Sequence, residues 1–267
     1  MDKIVSLTTI PARIPHISKT LQKLCESNAD YVILNIPDRC EKTGEFYPKD
    51  INNIFSHKKF FIHQCFTDWG PATKIIPVLE LKAPFKLFVC DDDMMYEPSL
   101  VNYFFDEIED GKFVCGNGAW SGCTINDVLN DNKASSMQGR EITRIASGQY
   151  FFFPEVFAGL GMMIDEGIQS RPEFLNLKKY TKLSKACRYS DDLCIGKWFD
   201  DLGFKEKCFG FDAVKDRITN MNNYNMPHMS LAGGAKLTGG NRENYKKAFL
   251  DLTIGRKQVE NILGVSL

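Results

Sequence analysis

Histidine is scarce in this sequence, with four in 267 residues, and its nine cysteines include no CxxC pair. An odd number of scattered cysteines in a chain this long excludes a disulfide framework and points to a reducing compartment. Without catalytic spacing, they read as small buried hydrophobes. No stretch approaches the roughly 18 uninterrupted apolar residues that a membrane span needs. Met1-Asp2-Lys3-Ile4-Val5-Ser6-Leu7 enters a strand pattern at once. It lacks the apolar length and cleavage pattern of a signal peptide. Net charge is missing too, since 33 basic residues balance 34 acidic ones. Bulk electrostatics therefore favours neither nucleic acid nor anionic membrane. Any phosphate has to be held by particular basic residues.

What is present is a core-forming composition, 43% hydrophobic with 20 Phe. The first half alternates strand and helix patterns. Ile4–Ile10, Tyr31–Ile36, Phe60–Cys65 and Phe85–Cys90 read as strands. Ile14, Ile17, Leu21 and Leu24 recur at helical spacing after the first strand. Leu100, Val101, Phe104, Phe105 and Ile108 do so after Pro98. Ala72–Leu81 is helically spaced but interrupted by Pro77. This alternation predicts a mainly parallel central sheet flanked by helices. In such sheets ligands bind beyond the carboxyl ends of the strands. Further on, Phe113–Gly118 reads as a short strand and the polar stretch 126–139 as a loop able to close over a ligand. Asp191–Leu202 and Glu243–Leu263 read as helices.

The informative motif is Asp91-Asp92-Asp93, directly after the apolar run 85–90. Three carboxylates at the end of a buried strand call for positive charge. Mg²⁺ or Mn²⁺ prefers such hard oxygen ligands and would bring a phosphate with it. In an extended segment Asp91 and Asp93 share a face and converge, while Asp92 points elsewhere. The plainer alternative is an acidic turn at the head of the next helix. An EF-hand is excluded because its distal glutamate is missing.

Val89-Cys90-Asp91-Asp92-Asp93 resembles the DxD motif of GT-A glycosyltransferases. Four other segments resemble one subgroup, found in bacterial polysaccharide clusters and large algal DNA viruses. They are Ser6–Arg13, Asp68-Trp69-Gly70-Pro71-Ala72-Thr73-Lys74, Phe157-Ala158-Gly159 and Tyr189-Ser190-Asp191-Asp192. The resemblance covers residues 4 to 200 and implies a single GT-A domain. Residues 1–118 would form the nucleotide-sugar half. Residues 119–267 would form the acceptor half, with a C-terminal acceptor-side helical region.

The resemblance also assigns roles. Thr8, Arg13, Asp68, Lys74, Asp91 and Asp92 would bind the donor. Asp93 and Asp91 would hold Mn²⁺ or Mg²⁺, with His228 as a further ligand. In the Asp191-Asp192 pair, Asp192 is the favoured general base and Asp191 the alternative, where many relatives carry Glu-Asp. Each role has a structural counterpart: a solvated Arg13, a surface Asp68–Lys74 pair, and Ser190 capping a helix headed by two acids. Trp69 and Trp120 suit sugar stacking or the core equally.

The implied activity is metal-dependent, inverting transfer from a nucleoside-diphosphate sugar, UDP-linked by expectation. The acceptor is a hydroxyl on a glycan or other molecule. The expected setting is cytoplasmic, the host cytoplasm in the viral case. A sugar-nucleotide pyrophosphorylase is the enzymatic alternative, although Thr-Thr-Ile-Pro stands where such enzymes carry a glycine-rich basic loop. A carbohydrate-binding protein without turnover is the non-enzymatic one.

Overall fold

In the computed structural model β1 (Asp2–Thr8) buries side chains on both of its faces, Ile4 on one and Val5 and Leu7 on the other. A β-branched run with no polar face is what a central parallel strand requires. The structure describes residues 1–124, 136–137, 141–142, 150–208, 217–220, 247–248 and 251–252. β1 pairs in parallel with β2 (Tyr31–Pro37) and with β4 (Phe85–Val89). β2 pairs in parallel with β3 (Phe60–Cys65) at the edge. A short β5 (Met94–Tyr96) follows the aspartates.

The sheet continues through two long strands, β6 (Lys112–Thr124) and β9 (Tyr150–Ile164). β7 (Ser136–Met137) pairs with β6, and β8 (Glu141–Ile142) pairs with β10 (Lys205–Cys208). The order is β3-β2-β1-β4-β9-β6-β10-β8. β9 runs antiparallel to both β4 and β6, while β10 runs parallel to β6. β11 (Ile218–Asn220) forms a separate antiparallel pair with β5. The fold class is thus the expected α/β one, a mixed sheet of mostly parallel strands flanked by helices.

Helices cover both faces. α1 (Ser18–Cys25) and α2 (Pro98–Glu107) lay Leu21, Leu24, Leu100, Val101, Phe104 and Phe105 against one face. On the other, α3 (Glu166–Gln169), α4 (Asn176–Leu183) and α6 (Asp191–Asp201) bury Ile168, Leu177, Leu193, Ile195, Trp198 and Phe199. α5 (Lys185–Arg188) joins α4 to α6. Pro98 sits in the first turn of α2, where its missing N–H costs nothing. Burying a Phe or Leu side chain contributes about 1.5–3 kcal/mol, so these two layers hold the sheet between them.

Several expectations change in extent. The segment 72–81 forms two 3₁₀ turns, Gly70–Lys74 and Val78–Glu80, on either side of Pro77. The strand expected at 113–118 is much longer. Ser190 makes no side-chain hydrogen bond at the head of α6, so the expected cap is absent. Of the stretch 126–139, only Ser136–Met137 is described, and it is paired with β6. Of 243–263, only 247–248 and 251–252 are described, both helical. Cys25, Cys40, Cys65, Cys90, Cys187 and Cys194 are free and buried, as their scatter implied. Among the described residues no helix is long and apolar enough to cross a membrane.

Candidate functional site

Four segments meet beyond the carboxyl ends of β1 and β4. They are the 3₁₀ turn Pro11–His16, the turn Gly70–Lys74, the aspartate triplet and the start of α6. A pocket opens there, lined among others by Thr8, Arg13, Lys42, Tyr47, Lys74 and Asp92.

Arg13 grips two of the three aspartates. Its Nη1 pairs with Asp92 and its Nη2 lies 3.2 Å from Asp93 Oδ2. Thr9 Oγ1 donates to Asp92 Oδ2 at 2.5 Å. Tyr47 Oη donates to the Thr9 carbonyl at 2.6 Å, fixing that turn. Burial alone would pull the Arg13 pKa down, but Asp92 and Asp93 outweigh it and the guanidinium is held more firmly charged. Burial also pushes the Asp92 carboxyl up, with Arg13 and Thr9 pulling against it. Asp93 is pushed up to about 6, first by burial and then by the charge of Asp92.

Lys74 is held from behind by a polar chain across the sheet. His63 Nδ1 and Asn35 Oδ1 are 3.0 Å apart. Asn35 Nδ2 donates to Ser6 Oγ at 2.8 Å, and Ser6 Oγ donates to the Lys74 carbonyl at 2.6 Å. Gly70 makes the turn possible. Its φ is +64°, and a Cβ there would lie 2.7 Å from the Arg188 carbonyl oxygen. Thus placed, Lys74 Nζ reaches Asp91 Oδ1 at 2.8 Å and Asp191 Oδ2 at 2.9 Å. The second contact is ionic and lies off the hydrogen-bond direction, so Asp191 Oδ2, itself buried, accepts no aligned hydrogen bond.

The chain leaves the extended state at Val89 and turns at Asp92-Asp93. The expected alternation therefore fails. Asp92 and Asp93 share Arg13, and Asp91 is the one that points away, to Lys74. Neither Arg13 nor the Asp68–Lys74 pair is a surface feature. Arg13 is buried, and Asp68 does not pair with Lys74. Asp68 instead accepts Gly70 N at 2.6 Å and Glu41 N at 2.7 Å, one on each carboxylate oxygen. Thr8 Oγ1 donates to the Asn35 carbonyl at 2.8 Å. Asp191 and Asp192 open α6, and the Asp192 side chain lies outside the described residues. His228 lies outside them too.

Sequence reasoning missed Lys42 and Tyr47, which come from the irregular connection after β2 and carry no periodic signal. Lys42 lines the pocket with its charge disfavoured by burial and by nearby Arg13.

Whether the carboxylates suit a divalent ion can be judged from their partners. Among the described residues no three His, Cys, Asp or Glu side chains form a ready metal cage. Mg²⁺ commonly takes only one or two carboxylates, with phosphate and water completing its shell. Asp91 and Asp93 are donors of that kind, but each is turned to its own cation, Lys74 and Arg13, which an arriving ion would have to replace in part. Each side chain keeps some exposure, 43% and 21%, and burial, with the Asp92 charge second, disfavours the ionised Asp93, a penalty that a nearby cation would relieve.

No family model matches the chain, and no curated protein matches it. Three solved structures of similar arrangement are very distant. A UDP-glucose pyrophosphorylase complexed with UDP-glucose is 13% identical over 92% of this chain and 100% of that one, at a TM-score of 0.41. A putative glucose-1-phosphate thymidylyltransferase from Bacillus anthracis is 10% identical over 91% of this chain and 96% of that one, at 0.38. S. aureus TarS 1-349, in complex with UDP, is 12% identical over 100% of this chain and 76% of that one, at 0.37.

Proposed function

We propose that the chain is a metal-dependent glycosyltransferase of the GT-A type, a member of the DxD-containing subgroup, acting in the cytoplasm. It moves a sugar from a nucleoside-diphosphate donor, UDP-linked in our reading, to a hydroxyl acceptor with inversion. The single observation behind this reading is the Lys74 bridge. One ammonium joins Asp91 of the strand-end triplet to Asp191 at the head of α6. A candidate metal ligand, Asp91, and Asp191, the neighbour of the candidate base, thereby share one ammonium.

Asp93 and Asp91 would hold Mn²⁺ or Mg²⁺, with His228 as a further ligand. When bound, the ion would supply the positive charge that stabilises the departing diphosphate. Arg13 keeps Asp92 and Asp93 in place, and Thr8, Lys42 and Lys74 line the donor pocket. Asp191 is engaged by Lys74, so the base is assigned to Asp192. Its carboxylate takes the proton from the acceptor hydroxyl as that oxygen attacks the anomeric carbon and the C–O bond to the diphosphate breaks.

Calorimetry with UDP, with and without Mn²⁺, tests the reading. Tighter binding with metal is expected, together with release of UDP from a UDP-sugar. Equal affinity in both conditions overturns it. A pyrophosphorylase would instead consume a nucleoside triphosphate and a sugar phosphate. Against that alternative, the basic residue after β1, Arg13, is already committed to carboxylates.

A further inference from the structure

A second concavity of about 460 Å³ lies beside the donor pocket and shares Asp68 and Tyr189 with it. Its walls carry Trp69, Lys182, Lys185 and Arg188 against the acids Glu41 and Asp68. Both acids are already engaged. Glu41 pairs with Arg188 Nη1 at 2.7 Å, and Asp68 accepts two backbone N–H groups. Of the bases, Arg188 is thus matched by Glu41, and the two lysines are not matched in this way. Lys182 Nζ stands 4.5 Å above the Trp69 ring, and among the described residues neither it nor Lys185 is paired with a carboxylate. Arg188 Nη2 donates to the Asp68 carbonyl, which leaves its buried Nε without an acceptor among the described residues. The cavity therefore offers two lysine ammoniums without carboxylate partners among the described residues, beside an aromatic ring and the guanidinium of Arg188. It also lies on the segment leading directly into Asp191 and Asp192.

We propose that this cavity is the acceptor subsite and that it takes a saccharide bearing an anionic group, phosphate or carboxylate, held by Lys182, Lys185 and Arg188. Calling the ligand an acceptor rests on the glycosyltransferase reading; the anion site itself does not. Charge-assisted hydrogen bonds from lysine and arginine favour such groups over neutral hydroxyls.

The test is ligand-observed NMR on the full chain with glucose 6-phosphate, glucuronic acid and neutral glucose, with and without UDP. The expected result is binding of one or both anionic sugars, none of glucose, and no displacement by UDP. Which anionic sugar binds identifies the group. The Lys182→Ala/Lys185→Ala variant should weaken that binding at least tenfold and leave UDP affinity unchanged. Equal binding of glucose, displacement by UDP, or undiminished binding in the double variant overturns the subsite. If the anionic sugar binds through the two lysines while UDP fails to bind at all, the subsite stands and the glycosyltransferase reading falls.

Discussion

Lys74 meets Asp191 at 2.9 Å, Nζ to Oδ2, and both side chains are nearly buried. A buried charge that loses its partner is costly, about 3–5 kcal/mol. Lys74→Met keeps the length of the side chain and removes the ammonium. Most of the expected loss comes from Asp191, because Asp91 is 43% exposed and water can solvate it. Urea denaturation should show Lys74→Met destabilised by about 3 kcal/mol. Asp191→Asn placed on top should recover a good part of that loss. Additive effects would show that the two side chains do not act as a pair.

Asp93 makes metal-free stability depend on pH. Its carboxyl goes from an ordinary 3.8 to about 6 in the folded chain, first through burial and then through Asp92. Between those values the folded state binds the proton more tightly than the unfolded state does. The associated stability is fully present below about pH 4 and is lost as pH rises through about 6. Its ceiling is about 3 kcal/mol. In chelator, Asp93→Asn should be more stable than wild type above pH 7, with the difference closing toward pH 4. Denaturation midpoints across that range provide the check, and a pH-independent difference would mean that Asp93 is under no such electrostatic load.

The first four strands were legible as β-branched and aromatic runs; both faces of β1, β2 and β4 are buried, while β3, at the edge, leaves Phe61, His63 and Gln64 exposed. β6 and β9 were not legible in extent. Their register shifts between Cys115 and Asn117, between Asn117 and Ala119, and between Trp120 and Cys123, and each shift breaks the two-residue period. β9 also carries Pro154 and Gly159, which read as breakers. Yet glycine suits the strand at this point: φ is +96°, and a Cβ at Gly159 would strike the Phe88 ring at 2.5 Å.

Within the site, the aspartate triplet was visible as charge after an apolar run. Its partners were not assignable, because Arg13 and Asp92 are 79 positions apart and meet only through strand order. The orientation of the three carboxylates was misjudged because alternation holds only while the chain stays extended, and the strand ends at Val89.

Gly70 ties the Lys74 turn to α5. Gly70 and Gly203 have nearly the same positive φ, +64° and +65°. A Cβ at Gly203 would meet nothing within 4 Å, whereas at Gly70 it would meet the Arg188 carbonyl oxygen at 2.7 Å. Gly203→Ala should therefore cost only the backbone term, about 1–2 kcal/mol. Gly70→Ala should cost about 2–4 kcal/mol and shift the Arg188 segment as well. Thermal unfolding of the two variants separates the terms. Equal losses would mean that α5 gives way freely to the turn.

The acidic pair at the head of α6 is predicted to divide its labour. Asp191 is bound to Lys74, so Asp191→Asn should disturb the donor pocket by freeing that lysine. Its signature is lower stability and altered UDP affinity. Asp192 has the proposed base role, so Asp192→Asn should leave UDP affinity and stability near wild type. Transfer should fall by roughly 10²–10⁴-fold, the usual contribution of a positioned base. The loss should appear in kcat and not in the donor KM. Full transfer by Asp192→Asn would move the base away from this position. Asp191 would then have to act in spite of its ion pair, and the rate of the Lys74→Met variant would rise or fall with the freedom of that carboxylate.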